Sequence, residues 1–291
     1  MEVALWGTRG SLASPGPETV RYGGNTSCVE VRDSRGTVIA LDAGTGIRRM
    51  GDILLAENSR IDVLLTHLHM DHIQGLGFFA PLYQEGREVH IWGPQSPTMP
   101  IQDRLARYLS PPLFPVRLRD LPCKLTLHDV PLGEFTVGAL RVHACLVSHP
   151  GHTVGYRIAE NGVSMAYIPD HEPALGWPNF PCPEEWMSGL ELARGVDLLI
   201  HDAQYTDEEY ADHVGWGHST LEQAMAFAAV ARVARLMTFH HDPEHADVQL
   251  DRMIERARNG HARGFQVIAG TEGLRLKIES AKSPLRRTAI A

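Results

Sequence analysis

Residues 60–72 read RIDVLLTHLHMDH, a nearly continuous apolar run followed at once by three histidines and an aspartate. The apolar run predicts a strand buried on both faces. Side chains two residues apart in an extended segment point the same way, so His67 and His69 can bind one metal ion together. The turn that follows then brings Asp71 and His72 to a second ion. The alternative, a helix start with incidental histidines, is disfavoured by the density of the cluster.

The composition is that of an acidic globular protein. Of 291 residues, 43% are hydrophobic and 21% are charged, which excludes disordered and fibrous architectures. The net charge of −8 argues against binding of long nucleic acid. A small anionic substrate is still compatible with this charge, because a bound metal supplies positive charge locally. No apolar run approaches the ~20 residues of a membrane span, no signal-peptide pattern opens the chain, and the four cysteines are far apart. These features predict a cytoplasmic protein with free thiols and no membrane association.

The remaining patterns predict one α/β domain over residues 1–280, followed by a flexible tail at 281–291. Alternating or β-branched runs predict strands at 2–7, 27–33, 37–43, 88–93, 135–147, 153–168, 196–201 and 235–240, with a hairpin at Asn161-Gly162. Helices are expected at 101–109, 221–234 and 243–259, the second opened by a Ser219–Glu222 capping box, and a final strand or hairpin at 265–278.

The H-x-H-x-D-H pattern after a buried strand resembles the hallmark of the metallo-β-lactamase superfamily. The other motifs that carry the resemblance are Leu41-Asp42-Ala43-Gly44-Thr45-Gly46, His149 ahead of Gly155-Tyr156-Arg157-Ile158, Tyr167-Ile168-Pro169-Asp170, and Leu236-Met237-Thr238-Phe239-His240. The resemblance extends over nearly the whole chain. It implies a four-layer αββα sandwich, in which two mixed β-sheets are flanked by helices.

The same resemblance implies a set of ligands for two divalent metal ions. One ion would be held by His67, His69 and His149, the other by Asp71, His72 and His240, with Asp170 bridging them. This donor set suits zinc, and also manganese or iron. His241 and His152 remain alternatives to His240 and His149, which the family spacing favours. Asp42 is expected to be structural, and His171 to lie outside the ligand set, on the surface or against a ligand.

A second constellation bears on the reaction. Leu199-Ile200-His201-Asp202-Ala203-Gln204 and Gly217-His218-Ser219-Thr220 resemble a strand and a turn of the tRNase Z and PhnP-like phosphodiesterases. In that branch an acidic residue, here Asp202, orients a histidine, here His218, which protonates the leaving oxygen. His69 occupies the position where di-iron redox members carry Glu, which favours hydrolysis. The plainer interpretation makes His218 a loop residue and Asp202 a polar group at a strand end.

The resemblance therefore predicts a metal-dependent hydrolase that cleaves a small cyclic phosphodiester, such as a cyclic nucleotide or a ribosyl cyclic phosphate. A hydroxide shared by two metals would attack phosphorus, with His218 as general acid and Asp71 assisting as a base. A tRNA 3′-end endonuclease and a thioester or lactone hydrolase are the alternative enzymes. A metal-bound sensor without turnover is the alternative outside catalysis.

Two further segments bear on the substrate and on assembly. The inserted segment 92–121 is apolar, so it is expected to cover the cleft, form a homodimer contact or pack on the core. The glycine-rich loops around residues 6–11 and 23–27 resemble those of PhnP-like proteins, which makes Arg9, Asn25 and Ser27 candidates for binding a phosphate. These loops are equally explained as tight turns.

Overall fold

The strands of this protein are short apolar runs that pair into two sheets. The structure is a computed structural model that describes residues 1–173, 175, 180–260, 264–280 and 286–288. The strands are β1 Glu2–Gly7, β2 Cys28–Arg32, β3 Val38–Leu41, β4 Ile61–Leu64, β5 Glu88–Pro94, β6 Lys124–Val130, β7 Gly133–Val137, β8 Leu140–Leu146, β9 Val154–Glu160, β10 Val163–Ile168, β11 Leu198–Asp202, β12 Arg235–Phe239, β13 Gln266–Ala269, β14 Arg275–Lys277 and β15 Arg286–Thr288. The first sheet has the order β15-β14-β1-β2-β3-β4-β5-β6, and the second has the order β13-β12-β11-β10-β9-β8-β7.

Helices cover the outer face of each sheet. They are α1 Ile47–Leu54, α2 Met70–Ile73, α3 Ile101–Ala106, α4 Leu190–Ala193, α5 Asp207–Tyr210, α6 Leu221–Ala231 and α7 Asp247–Gly260. Short 3₁₀ turns lie at Leu76–Phe78, Ala80–Tyr83, Leu118–Asp120 and Glu184–Trp186. No helix among the described residues is long and apolar enough to cross a membrane.

Three apolar clusters hold these layers together. One lies between the sheets and joins residues such as Leu5 and Leu41 to Tyr156 and Ile200. The second packs the outer face of the first sheet against α1 and segment 92–121, and the third packs the second sheet against α4, α6 and α7. The layers are therefore αββα, as predicted.

Both sheets contain a parallel block, and these blocks decide where polar side chains gather. Strands β3 to β6 are parallel in the first sheet, and β10 to β13 are parallel in the second. The carboxyl ends of parallel strands meet at one edge of a sheet, so the residues that follow β3, β4, β10, β11 and β12 can converge.

Several predicted elements have different bounds. Residues 135–147 form the hairpin β7–β8 rather than one strand, because Gly138 turns the chain with φ +58°. Residues 265–278 are not a hairpin, since β13 pairs in the second sheet and β14 in the first. The sequence analysis did not anticipate α1 or β6. The predicted hairpin at Asn161-Gly162 is present as β9–β10.

The segment 92–121 and the tail need separate description. Side chains of the segment, among them Leu105, Leu109 and Phe114, join the outer core of the first sheet. Its role as a cap or a dimer contact stays a prediction. Of the predicted tail, 281–285 and 289–291 lie outside the described residues, and β15 pairs antiparallel with β14.

Candidate metal centre

The predicted ligands converge where the parallel strands of both sheets end. His67 to His72 follow β4, Asp170 follows β10, His240 follows β12, and His149 lies in the loop between β8 and β9. The segment after β4 stays extended to His69, which precedes α2, and this helix then turns Asp71 and His72 inward. The first sheet thus supplies four of the seven side chains and the second sheet supplies three.

His67, His69 and His149 form the first cluster. The Nδ1 atom of His69 lies 3.2 Å from Nε2 of His149, and the candidate ligand atoms of the three residues lie within 4.8 Å of one another. His67 is buried, His149 is half-buried, and His69 is exposed, so the cluster opens to solvent on the side of His69. Three imidazoles at this spacing match the ligand number of a catalytic zinc site with an open position.

Asp71, His72, Asp170 and His240 form the second cluster, which is buried. The Nε2 atom of His72 lies 3.2 Å from Asp71 Oδ2 and 3.0 Å from Asp170 Oδ1. The Nε2 atom of His240 lies 3.2 Å from Asp71 Oδ2 and 3.3 Å from Asp170 Oδ2. Asp170 Oδ2 also lies 3.8 Å from His67 Nε2 and 3.7 Å from His149 Nε2, so this carboxylate stands between the two clusters.

The hydrogen bonds at the far side of each ring fix which nitrogen faces the cluster. The Nδ1 atoms of His72, His149 and His240 contact, in turn, Asp42 Oδ2 at 2.8 Å, the Gly217 carbonyl at 2.8 Å and Gln204 Oε1 at 2.8 Å. Because these partners are acceptors, each Nδ1 is the donor and each neutral ring presents the Nε2 lone pair inward.

Two nitrogen lone pairs that face each other about 3 Å apart repel, and a cation between them removes the repulsion. The Nε2 atoms of His72 and His240 are 3.3 Å apart, and the buried Nε2 of His67 has no hydrogen-bond partner among the described residues. A buried polar atom without a partner is costly, and coordination of a metal ion removes that cost. The donor set therefore fits divalent metal ions.

The charges of the clusters agree with this assignment. Burial lowers the pKa of His67, His69 and His149, which keeps the three imidazoles neutral and able to coordinate. Burial opposes a charge on His72 as well, but the Asp170, Asp71 and Asp42 carboxylates outweigh it and raise the pKa of His72 well above its ordinary value. In the absence of metal, this raised pKa lets a proton on His72 Nε2 take the place of a metal ion's positive charge, and coordination requires that His72 loses that proton.

The alternatives left open by the sequence are distinguished by position. His241 Nε2 lies 2.9 Å from the Gly270 carbonyl, and its ring meets Tyr22 edge-on at 5.3 Å. His241 therefore faces away from the cluster that contains His240. His152 is exposed and belongs to neither cluster. His171 belongs to neither cluster, and it is fully buried, which excludes the surface position of the two that were expected.

Asp42 is buried and serves as a scaffold for the ligand loop. Its carboxylate accepts the backbone N–H of Thr66 at 2.7 Å, the Thr66 hydroxyl at 2.9 and 3.0 Å, and the Tyr167 hydroxyl at 2.9 Å, in addition to His72. It contacts no other predicted ligand and belongs to neither metal cluster. Asp42 adopts φ +59°, a strained conformation held by these contacts.

Asp202 and His218 lie directly against the two clusters. His218 Nδ1 lies 2.7 Å from Asp202 Oδ2, and the His218 ring stacks on that of His240 with centroids 4.9 Å apart. Asp202 also accepts the backbone N–H groups of His171, Gln204 and Ser219, which fix the carboxylate. Burial opposes a charge on His218, but the Asp202 carboxylate prevails and raises the pKa of His218 to about 9.

Two further residues position this site and were not singled out from the sequence. Gln204 binds His240 Nδ1 through Oε1, and its Nε2 donates to Asp242 Oδ2 at 3.2 Å. Glu172 accepts the backbone N–H groups of Gly215 and Gly217 at 3.0 and 2.9 Å, which holds the loop that carries His218. Gln204 lies in the motif that contains Asp202, which was the available signal; Glu172 had none.

Arg9 is not brought to the metal centre, which corrects its predicted contact with substrate. Its side chain is fully buried, with Nε donating to the Gly23 carbonyl at 2.8 Å. Nη1 donates to the carbonyls of Asp242 and His245 at 2.9 and 2.7 Å, and Nη2 lies 3.9 Å from Asp247. The guanidinium therefore ties the loop after β12 to the loop after β1, and a phosphate has no access to it.

The contacts of Asn25 and Ser27 are likewise with neighbouring protein segments. Asn25 Nδ2 donates to Glu272 Oε1 at 2.7 Å, and Ser27 is fully buried. The Ser27 carbonyl accepts the N–H of Gly44 at 2.9 Å. These contacts agree with the interpretation of the glycine-rich segments as tight turns. The contacts of Asn25 and Ser27 with substrate stay predictions.

Comparison with known proteins identifies the class. Residues 37–241 match the family described as "Beta-lactamase superfamily domain". This range is more than half of the chain, and the chain therefore belongs to the β-lactamase superfamily.

Three similar proteins narrow the comparison. Ribonuclease Z of Porphyromonas gingivalis is 26% identical over 269 residues, which cover 76% of this chain and 84% of that protein. The Zn²⁺-bound structure of PqqB from Methylobacterium extorquens has a TM-score of 0.68 and 22% identity, over 95% of this chain and 100% of that chain. A diphosphatase of the PhnP family has a TM-score of 0.65 and 19% identity, over 96% of this chain and 98% of that chain. The predicted superfamily, four-layer fold and metallohydrolase class are confirmed.

Proposed function

We propose that this chain is a two-metal phosphodiesterase in which His218 protonates the departing oxygen. The observation that carries the proposal is the Asp202–His218 pair, whose 2.7 Å contact lies against both ligand clusters. Hydrolysis of a thioester or a lactam does not need such a pair. An alkoxide leaving group does need a proton, because its own pKa is far above neutral.

The metal ions are assigned to residues by the donor sets described above. His67, His69 and His149 would hold one divalent ion, and Asp71, His72 and His240 the other, with Asp170 shared; zinc is preferred, and manganese or iron also suit these ligands. Ions bound there supply Lewis acidity and a water of lowered pKa.

The remaining steps belong to the side chains of this protein. His218 Nδ1–H donates to Asp202, so the second proton of the imidazolium is on Nε2. As the P–O bond breaks, that proton passes to the leaving oxygen and His218 becomes neutral. The attacking water gives its proton to Asp71, from which the proton passes to the medium, and His218 regains one before the next turnover. Asp71 is held by the N–H of Ser11 at 2.8 Å, which leaves its carboxylate oriented to accept the water proton.

Two substrate classes are candidates for this site. A small cyclic phosphodiester, such as a cyclic nucleotide, is the substrate that we propose first, because the net charge of −8 disfavours binding of a long polyanion. A tRNA 3′-end nuclease activity is the second candidate, supported by the 26% identity to the ribonuclease Z of Porphyromonas gingivalis. Assays with cyclic nucleotides and with a tRNA that carries a 3′ trailer separate the two.

The role of His218 is tested with two phosphodiesters that differ in the leaving group. Replacement of His218 by Ala should slow cleavage of a dialkyl ester or cyclic nucleotide by about 10²–10⁴-fold, because the alkoxide departs without a proton. Cleavage of bis(p-nitrophenyl) phosphate should fall far less, since p-nitrophenolate is stable as an anion. Both rates are measured on protein with two metal ions per chain.

The exposed His152 provides the matched control, and His152→Ala should behave as the wild type with both esters. Equal losses for the two esters in His218→Ala would contradict the role of general acid. If metal-loaded wild-type protein cleaves thioesters or lactones but no phosphodiester, the proposed function is overturned.

A further inference from the structure

A groove lies beside the metal centre, on the face of α2 opposite to the ligands. Asp71 and His72 occupy one side of this helix, and Met70 lies on the other. The groove has a volume of about 310 Å³ and is bounded by Leu68, Met70, Tyr108 and Leu113, with Arg104 and Arg107 among its walls. This volume lies at the lower end of the range of small-molecule sites.

The groove adjoins the segment that carries the ligands of the first cluster. Leu68 and Met70 stand on either side of His69, the exposed ligand of the first cluster. His69 and Met70 are both exposed, so the open side of the first cluster and the groove reach the protein surface at adjacent residues. A molecule held at the first cluster can therefore extend along the surface into the groove.

The walls of this groove are apolar and uncovered. Leu113 is 70% exposed and Met70 is 51% exposed, and both lie at this one groove. The phenol of Tyr108 is fixed, because its hydroxyl donates to the Gln74 carbonyl. A fixed aromatic ring with flanking aliphatic side chains is suited to a flat, weakly polar group.

The groove also carries positive charge. Arg107 is exposed, and its side chain forms no hydrogen bond or ion pair within the described part of the chain. Arg104 donates to the Pro94 carbonyl and lies 3.8 Å from Asp129, but its buried Nε has no partner in the described ranges. In a chain of net charge −8, two guanidiniums at one apolar groove complement an anionic ligand that has a flat group.

We propose that this groove binds the nucleoside part of the substrate, next to the phosphodiester held at the metal centre. The inference rests on the proposed function and deepens it, because it restricts the substrate to nucleotides and gives segment 92–121 a role in specificity. The base lies against Tyr108, Met70 and Leu113. Arg107 packs over its π-face or donates to its polar edge.

The proposal is tested by the ratio of kcat/KM for two p-nitrophenyl esters. One is the ester of thymidine 5′-monophosphate, and the other is methyl p-nitrophenyl phosphate, which has no base. The ratio should favour the nucleotide in the wild type, and Arg107→Ala and Leu113→Ser should each lower it by about tenfold, chiefly through KM. An unchanged ratio in both variants overturns the proposal.

Two control variants locate the effect. Arg119→Ala removes an arginine of the same segment that is 71% exposed and outside the groove, and it should keep the wild-type ratio. Trp216→Ala removes the exposed tryptophan two residues before His218, a second apolar surface near the site. If Trp216→Ala lowers the ratio and Arg107→Ala does not, the base lies against that loop and the proposal is wrong.

Calorimetric binding of thymidine 5′-monophosphate to the metal-loaded protein separates failure of this inference from failure of the proposed function. Binding that Arg107→Ala weakens by about tenfold supports the groove even if no phosphodiester is cleaved, in which case the proposed function fails by itself. Phosphodiester turnover with nucleotide binding unchanged by Arg107→Ala overturns the groove and leaves the phosphodiesterase in place.

Discussion

At the scale of single residues, the geometry of the metal centre is set by acceptors behind the ligands. Asp42, Gln204 and the Gly217 carbonyl each bind the Nδ1 of one histidine and thereby direct its Nε2 inward. The backbone is strained at the same place, since Asp42 and His240 have φ of +59° and +57°. Strain of this kind persists only where surrounding contacts determine the conformation.

Gln204→Ala should weaken metal binding at the second cluster by about 10–100-fold, because His240 loses the partner that fixes its tautomer. The first cluster, which has no contact with Gln204, should keep its affinity. Titration against a chromogenic chelator resolves the two sites. Gln266→Ala, at an exposed strand position, is the control, and equal weakening of both sites in Gln204→Ala would count against this role.

The alkaline limb of the pH profile of kcat should depend on Asp202. His218 acts as an acid only when protonated, so kcat for an alkyl ester falls as pH rises through the pKa of His218 in the enzyme–substrate complex. The Asp202 carboxylate raises that pKa, to about 9 in the metal-free protein, and bound cations bring it down. Asp202→Asn removes the raising charge and should therefore move the alkaline limb to lower pH; an unmoved limb would exclude His218 as its origin.

At the scale of elements, the loop between α5 and α6 brings His218, the proposed general acid, against the two ligand clusters. Glu172 binds the N–H groups of Gly215 and Gly217, and α6 begins with a complete capping box formed by Thr220 and Gln223. His218 is therefore held between two fixed points. A Cβ on Gly217 would stand 2.3 Å from Pro150 Cδ and 2.4 Å from His149 Nδ1.

Two glycines of this loop form a matched pair for a test. Both have positive φ, +88° at Gly215 and +87° at Gly217, so alanine at either costs about 1–2 kcal/mol of unfolding free energy. Nothing lies within 4 Å of a Cβ on Gly215, so Gly215→Ala should lose stability only. Gly217→Ala should also displace His149 and weaken metal binding at the first cluster. Denaturant unfolding with metal titration checks both, and equal metal affinities would refute the packing argument.

At the scale of the whole molecule, the metal centre joins the two sheets. Four ligands follow β4 of the first sheet, and His149, Asp170 and His240 come from the second. Without metal the interface between the sheets contains converging lone pairs and carboxylates. Metal ions are therefore expected to stabilise the contact between the halves of the sandwich as well as to support catalysis.

Removal of metal by a chelator should lower the melting temperature. A metal ion that binds only the folded state raises the free energy of unfolding by about 2.7 kcal/mol per site at a free concentration of 100 times Kd. In a domain near this size, that increase raises the melting temperature by about 5–10 °C. Calorimetry with and without chelator measures the difference. His67→Ala, which lacks one ligand, should show a smaller difference, and an identical one would argue against metal at the first cluster.

The sequence by itself determined much of this protein. The apolar runs gave the strands around the site, and the density of histidines after β4 gave the metal centre, because short-range periodicity reflects burial directly. The ligands from the second sheet and the Asp202–His218 pair came through family resemblance, since residues far apart in sequence carry no local signal of their proximity.

Only the tertiary structure decided which polar groups meet. It directed His240 inward and His241 outward, buried Arg9 among carbonyls, and placed Gln204 and Glu172 behind the active side chains. It also sent β13 and β14 to different sheets. These outcomes depend on the packing of two sheets and on hydrogen bonds between distant segments, which periodicity along one chain does not encode.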